Sequence, residues 1–252
     1  MNTSPSTAPQ GAEPLRPDDL RAEGHAFEQL LGLLEQRFSC RAYLAREVPK
    51  PVILQILAAA QHTASWCNAQ PWRVVVTRGE ETRRFGKAYL KAVVAGGPHP
   101  DFAFPAEYRG VHLERRRQCG WQLYESVGIA RGDREAARRQ GLRNYEMFGA
   151  PHVAVVTTEE HLGVYGAVDC GAYVANFLNA ATSLGVACIA QAALASHPDV
   201  VRRHFDLPES RRVVCGISFG YADVRHASNS FRTGRADLED VVTWRGEEPD
   251  GL

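Results

Sequence analysis

Between His25 and Arg37 the residues Phe27, Leu30, Leu31 and Leu34 fall at i, i+3, i+4 and i+7. That is the single apolar stripe of an amphipathic helix. The spacing predicts a helix that ends near RFSCR, residues 37 to 41. A second helix is expected to open near Pro51, since proline suits a first helical turn, with Ile53, Ile56, Leu57 and Ala60 as its apolar face. It runs into TASWCNAQPW, residues 63 to 72, and the period then changes. The β-branched runs RVVVT (73 to 77), HVAVVTT (152 to 158) and RVVCGISFG (212 to 220) read as strands. Cys170, Tyr173, Val174, Phe177, Ala181 and Leu184 restore a helical period, with Gly185 placed as a C-terminal cap. A short buried strand over 185 to 191 and a helix opened by Pro198 complete the pattern. Helices and strands are mixed without the regular alternation of a doubly wound sheet, which points to an α+β fold.

The span from about 96 to 149 breaks this order. PHPDFAFPAEYRG carries three prolines and three aromatics, and a charged stretch with Arg115, Arg116 and Arg117 follows. We expect a helical insertion with an irregular front end. Its arginines are most simply a solvated face. Its alternative role is a lid that carries aromatic side chains over a pocket. Residues 1 to 22, rich in Pro, Ser and Ala, are expected to form a disordered tail, and 23 to 252 a single domain. The N-terminal stretch has neither the basic nor the apolar region of a secretory signal.

Composition narrows the function classes. Twenty-nine basic and 29 acidic residues give a formal net charge of zero, so no global field draws the chain to nucleic acid or to a membrane surface. No run approaches the roughly 20 apolar residues of a membrane span. The six cysteines form no CxxC pair and have no metal-ligand spacing with the nine histidines. No metal is therefore expected, and reduced thiols suit the cytoplasm. Signatures for a serine nucleophile, a zinc protease, a P-loop and a Rossmann dinucleotide site are missing.

What remains is a set of separated polar clusters. In RFSCR an extended backbone turns Arg37, Ser39 and Arg41 to one side, and two guanidiniums with a hydroxyl make an anion site. Asn68 taken alone is a turn residue, Trp72 is core, and Arg235 in FRTGRADLEDVV is a surface arginine.

Taken together and in order, the clusters resemble the FMN-dependent nitroreductase superfamily. The matching elements are RFSCRAY (37 to 43), ASWCNAQPW (64 to 72), GVACIAQAA (185 to 193), VVCGISFGYAD (213 to 223) and RADLEDVV (235 to 242). ERRRQCGWQLYESVGI and NYEMFGAP are similar to the nitrobenzoate-reductase-like branch. The resemblance implies an intertwined homodimer, with a central mixed β-sheet flanked by helices and FMN at the subunit interface. It implies that Arg37, Phe38, Ser39 and Arg41 serve the phosphate, ribityl chain and pyrimidine edge, and that Arg235 closes on the phosphate. Ala64, Ser65, Asn68 and Gln70 would flank the isoalloxazine, partly from the second subunit, and Ala190, Gln191 and Ala192 would offer backbone N–H groups. Phe102, Phe104 and Tyr108 would line the acceptor pocket. The implied reaction is ping-pong hydride transfer from NADH or NADPH, through flavin N5, to small nitroaromatics or quinones. Flavin carries the chemistry, so no catalytic side chain is assigned. The alternative is a specialised flavoenzyme of the same fold: a dehalogenase, a dehydrogenase or oxidase of a biosynthetic substrate, or a flavin-consuming enzyme. The sequence departs from the family pattern at Ala64, where proline is usual, at Phe38, where a second arginine is usual, and in the run Ile189, Ala190, Gln191.

Overall fold

The computed structural model describes residues 17–246, with side chains from residue 24 onward. The chain divides into two compact units, one ending at Arg37 and one beginning at Phe38. The first unit contributes α1 (Pro17–Gln36). This helix starts before His25, so the boundary expected at residue 22 falls within it. The rest of the expected tail, residues 1 to 16, lies outside the described residues. The apolar stripe is where the period puts it, and Phe27, Leu30, Leu31 and Leu34 are all exposed.

The second unit is built on four strands, β1 (Arg73–Arg78), β2 (His152–Glu159), β3 (Ala187–Gln191) and β4 (Arg211–Gly220), in the order β1-β2-β4-β3. All three ladders are antiparallel, which corrects the expected mixed sheet. The 38–43 segment makes one parallel bridge, Ser39 to Cys188. It goes no further along β3, and on the side away from that strand the Arg41 N–H bonds Asn229 Oδ1 (2.8 Å).

β2 explains the layering. Its alternation sends Val153 and Val155 to one core and Ala154 and Val156 to the other, which is why HVAVVTT reads as nearly continuous apolar sequence. On one face lie α2 (Lys50–Gln61) and α6 (Gly163–Ser183), with Ile53, Ile56, Tyr173 and Phe177 buried against Ile217 and Phe219. On the other face lie α3 (Glu80–Ala95) and α7 (Pro198–Phe205), which contribute Phe85, Tyr89, Val200 and Val201. Each such large apolar side chain contributes about 1.5 to 3 kcal/mol by leaving water. The apolar pattern left α3 unassigned: its inward stripe is Thr82, Phe85, Gly86 and Tyr89, of which two positions are not apolar.

Gly185 does what its position predicts. At φ +70° its N–H bonds Thr182 O (3.0 Å), and the next N–H, of Val186, bonds Ala181 O (2.9 Å). This paired motif ends α6 and turns the chain directly into β3.

The insertion contains α4 (Gly110–Ser126) and α5 (Arg134–Leu142) behind an irregular front. Asp133 caps α5 through the Ala136 N–H (2.9 Å). Arg115, Arg116 and Arg117 are exposed. The front is fixed by Asp101, whose side chain is 4% exposed. It accepts from Arg202 (2.8 Å), Arg212 (3.2 Å) and the Val213 N–H (2.8 Å), tying the loop to α7 and β4. Removing one partner of a buried pair strands the other charges, so Asp101→Ala should cost about 3 to 5 kcal/mol, read from urea unfolding.

His152 is fully buried and stacked on Phe219, with ring centroids 5.0 Å apart. Its Nε2 accepts from the Val48 N–H (2.9 Å), so Nδ1 carries the proton and donates to Thr77 O (3.3 Å). Burial lowers its pKa from the ordinary value, against the opposing bond to Thr77. The unfolded chain therefore takes up a proton at a pH where the folded state does not, and stability is lost as pH falls below about 6.5 toward the lower folded-state value. His152→Gln should lose less unfolding free energy than wild type between pH 8 and pH 5, by urea titration.

Candidate functional site

The structure places the polar clusters in two groups held by different elements. The first lies along β3. The extended segment after Phe38 is pinned by the Cys40 N–H to Cys188 O (3.2 Å), the Leu44 N–H to Tyr221 O (2.8 Å) and the Asp223 N–H to Ala42 O (3.0 Å). Asn229 completes the clamp. Buried to 5% exposure, it accepts from the Arg41 N–H and donates to Ala42 O and Asp223 O (both 2.9 Å). Residues 38–41 and the 187–191 strand are thus brought side by side, while within the first unit the Arg37 N–H bonds Leu33 O (3.0 Å).

Arg41 holds the most informative charge of this group. Its Nη1 donates to Ser39 O (3.1 Å) and its guanidinium lies 5.7 Å from the Phe231 ring centroid. Burial lowers its pKa, offset in part by Cys119 of α4, Tyr43 and Cys40. Among the described residues no carboxylate forms an ion pair with it. A desolvated cation facing thiols and a phenol gains from an anionic ligand, so this donor set suits a group that carries or acquires negative charge.

Phe38 and Arg232 form a second feature of the same group. The Arg232 guanidinium sits 3.9 Å from the Phe38 ring centroid and donates to Asn229 O (2.9 Å). The sequence motifs pointed instead to Arg235, which in this structure is exposed and bonds its own loop at Thr233 and Gly234. Ala190 and Ala192 are exposed where β3 meets the 3₁₀ turn Ala192–Ala195. Gln191 is turned inward: it accepts from Ser218 Oγ and donates to Asn144 O (2.9 Å), fastening the far end of the insertion to β3.

The second group is the 64–72 loop. Cys67, Asn68 and Gln70 all have positive φ (52°, 55° and 46°), a conformation uncommon outside glycine. Each such residue costs about 1 to 3 kcal/mol unless its surroundings over-determine it. They do here. Ser65 Oγ accepts the Gln70 N–H (2.9 Å), Asp169 of α6 accepts the Trp66 N–H (3.1 Å), and Asn176 donates to Thr63 (2.8 Å) at the loop's root. The amides then run in series from Trp72 to Gln61 (2.9 Å), to Gln70 (2.9 Å), to Asn68 (3.0 Å). Trp72 is core, as expected, at 4% exposure and stacked on Tyr173. Ala64 is exposed.

Phe102 is half-buried and Phe104 and Tyr108 are exposed on the irregular front of the insertion, with the Arg116 guanidinium 5.2 Å from the Tyr108 ring centroid. A groove of about 740 Å³ between α3 and α7 is lined by other residues, among them His99, His197 and Asp199. Within it His99 meets Asp199 (2.6 Å) and Asp199 meets Arg203 (2.6 Å). The described residues hold no cluster able to bind a metal ion and no helix long and apolar enough to cross a membrane.

Sequence reasoning passed over Asn229, Arg232, Gln61 and Asp101. Asp101 had a visible signal, an acid among prolines and aromatics; Asn229 and Gln61 had none, because their roles are set by partners far away in the chain.

An antiparallel sheet between two helical layers, with an arginine cradle along β3 and an amide loop on α2 and α6, defines a nitroreductase-like α+β protein. Residues 34–221 match the nitroreductase family, and the chain belongs to it. It is 34% identical over 213 residues to nitroreductase NfnB of Mycolicibacterium smegmatis, covering 84% of this chain and 91% of that one. It is 30% identical over 230 residues to a 4-nitrobenzoate reductase of Nocardioides sp., covering 89% and 93%. The crystal structure of the FMN-dependent nitroreductase NfnB from Mycobacterium smegmatis in complex with NADPH superposes with a TM-score of 0.83 at 32% identity, over 88% of this chain and 100% of that one.

Proposed function

We propose that the protein is an FMN-dependent NAD(P)H oxidoreductase that reduces small electron-poor aromatic acceptors, nitroaromatics foremost and quinones beside them. The carrying observation is the desolvated, carboxylate-free Arg41 guanidinium, in a chain that aligns over most of its length with FMN- and NADPH-dependent nitroreductases. The protein works in the cytoplasm.

Bound FMN supplies reversible two-electron transfer between the nicotinamide donor and the acceptor. The chain supplies placement and charge. Arg41 stabilises the negative charge that develops on the ring's pyrimidine side. Ser39 and Arg235 serve the ribityl phosphate, and the exposed backbone at Ala190 and Ala192 offers N–H donors. Asn68 bonds the ring, from a loop shaped by Ser65 and Gln70. The insertion acts as a lid that sets Phe102, Phe104 and Tyr108 around the acceptor, its front held by Asp101. Excluding water there strengthens each of these polar contacts.

The active form is a homodimer, which brings the amide loop of one subunit to the arginine cradle of its partner. Support comes from apolar side chains left in water around that loop. Val164 and Val168, one turn apart on α6, are 66% and 59% exposed, and Trp66 packs edge-on against the exposed Tyr165 at 4.8 Å. Such a cluster on a soluble chain marks an interaction surface. Size-exclusion with light scattering should give twice the mass of the 27.8 kDa chain; a monomer at micromolar concentration refutes the assembly.

The purified protein should carry or take up FMN, NADH or NADPH should bleach it anaerobically, and a nitrobenzoate or a quinone should restore the colour. A protein that binds no added FMN overturns the reading. Losing one charge-assisted hydrogen bond of about 1.5 to 3 kcal/mol, Arg41→Ala should lower the flavin potential by roughly 30 to 60 mV, measured by equilibration with reference dyes.

A further inference from the structure

The amide series has a direction, and that direction can be derived. The Trp72 indole N–H is a donor only, so Gln61, at the end of α2, must meet it with Oε1 (2.9 Å). Its Nε2 then faces and donates to Gln70 Oε1 (2.9 Å). Gln70 Nε2 donates onward to Asn68 Oδ1 (3.0 Å). A second, independent anchor gives the same polarity: Gln70 Nε2 also lies 3.3 Å from the Asn68 backbone oxygen, an acceptor only. With Oδ1 engaged, the exposed Asn68 side chain is left with Nδ2–H to offer.

We propose that Gln61 is a positioning residue that, referenced to the Trp72 indole, fixes Asn68 as a hydrogen-bond donor toward the ligand. The loop therefore reads an acceptor atom, a ring nitrogen or carbonyl oxygen of the flavin, and rejects a donor edge such as its imide N–H. The proposal rests on the flavin reading above and adds the residue that sets the polarity of the contact.

Gln61→Glu tests the direction rather than the fold. A carboxylate still accepts from Trp72 but has no N–H for Gln70. Gln70 must then either face it with Oε1, oxygen against oxygen, or turn over and set Oε1 against both Asn68 oxygens. Turning over gives the carboxylate a donor in Gln70 Nε2 and leaves Asn68 Oδ1 without one. Gln61→Met removes the restraint without reversing it.

The measurement is FMN dissociation by flavin fluorescence in wild type, both Gln61 variants, Asn68→Ala, and the Gln61→Glu/Asn68→Ala pair, with thermal melting as the folding control. We expect Gln61→Glu to weaken FMN about tenfold, the scale of one lost hydrogen bond, and Gln61→Met to weaken it less. In the Asn68→Ala background Gln61→Glu should have no further effect, the non-additivity of residues acting through one another. The reduction potential of the bound flavin should follow the same pattern. Unchanged FMN binding in Gln61→Glu overturns the proposal, as does an equal loss with and without Asn68. Wild type that binds no FMN sinks the flavin reading itself, so the two failures are distinct.

Discussion

A strand buried on both faces needs two helical layers, and β2 imposes that requirement on the whole second unit. Val153 and Val155 demand cover on one side, Ala154 and Val156 on the other. The cover supplied by α2 and α6 also holds the amide loop, through Gln61, Asp169 and Asn176. The layer of α3 and α7 backs the acidic anchor of the insertion through Arg202. The amide loop and the front of the insertion are therefore extensions of core packing, which is how a loop with three residues at positive φ persists. Its local cost, about 1 to 3 kcal/mol per residue, is of the same order as the roughly 1.5 to 3 kcal/mol contributed by each large buried side chain, and several of those together offset it.

The two polar groups solve different electrostatic problems. Arg41 is a permanent charge kept partly dry, so its energy depends on what negative charge comes near. The amide series carries no net charge and contributes direction. On the function proposed above, the first group would set how favourable a charged state of the ligand is, and the second which way round the ligand sits. The close packing of β4 against the 3₁₀ turn after β3 adds rigidity under both. A Cβ on Gly216 would stand 2.4 Å from a Leu194 methyl, so only glycine lets the turn approach that strand.

Much of this was legible in the chain. The periods of α2 and α6 follow from local sequence, because one buried face imposes one spacing, and the strands stand out as short β-branched runs. α3 escaped because packing at Gly86 and Thr82 depends on closeness rather than apolarity; the Gly86 Cα approaches Met147 and leaves no room for a larger residue without movement. The parallel pairing expected for the sheet is limited to one bridge, Ser39 to Cys188. RFSCR and Asn68 stood out only in combination with the later motifs. Arg232 was missed because its partner, Phe38, lies nearly the whole chain away, and no spacing rule reports that distance.

The insertion is fastened at both ends by side chains that do not belong to its own helices. Asp101 docks at the front on Arg202, Arg212 and the β4 backbone, and at the rear Gln191 of β3 holds Asn144 O. Everything between, α4 and α5 included, buries no residue completely within those helices. On the function proposed above, the segment from 102 to 143 is where sequence could change with the acceptor at least cost to the fold, since the two clasps and the sheet would stay unaltered.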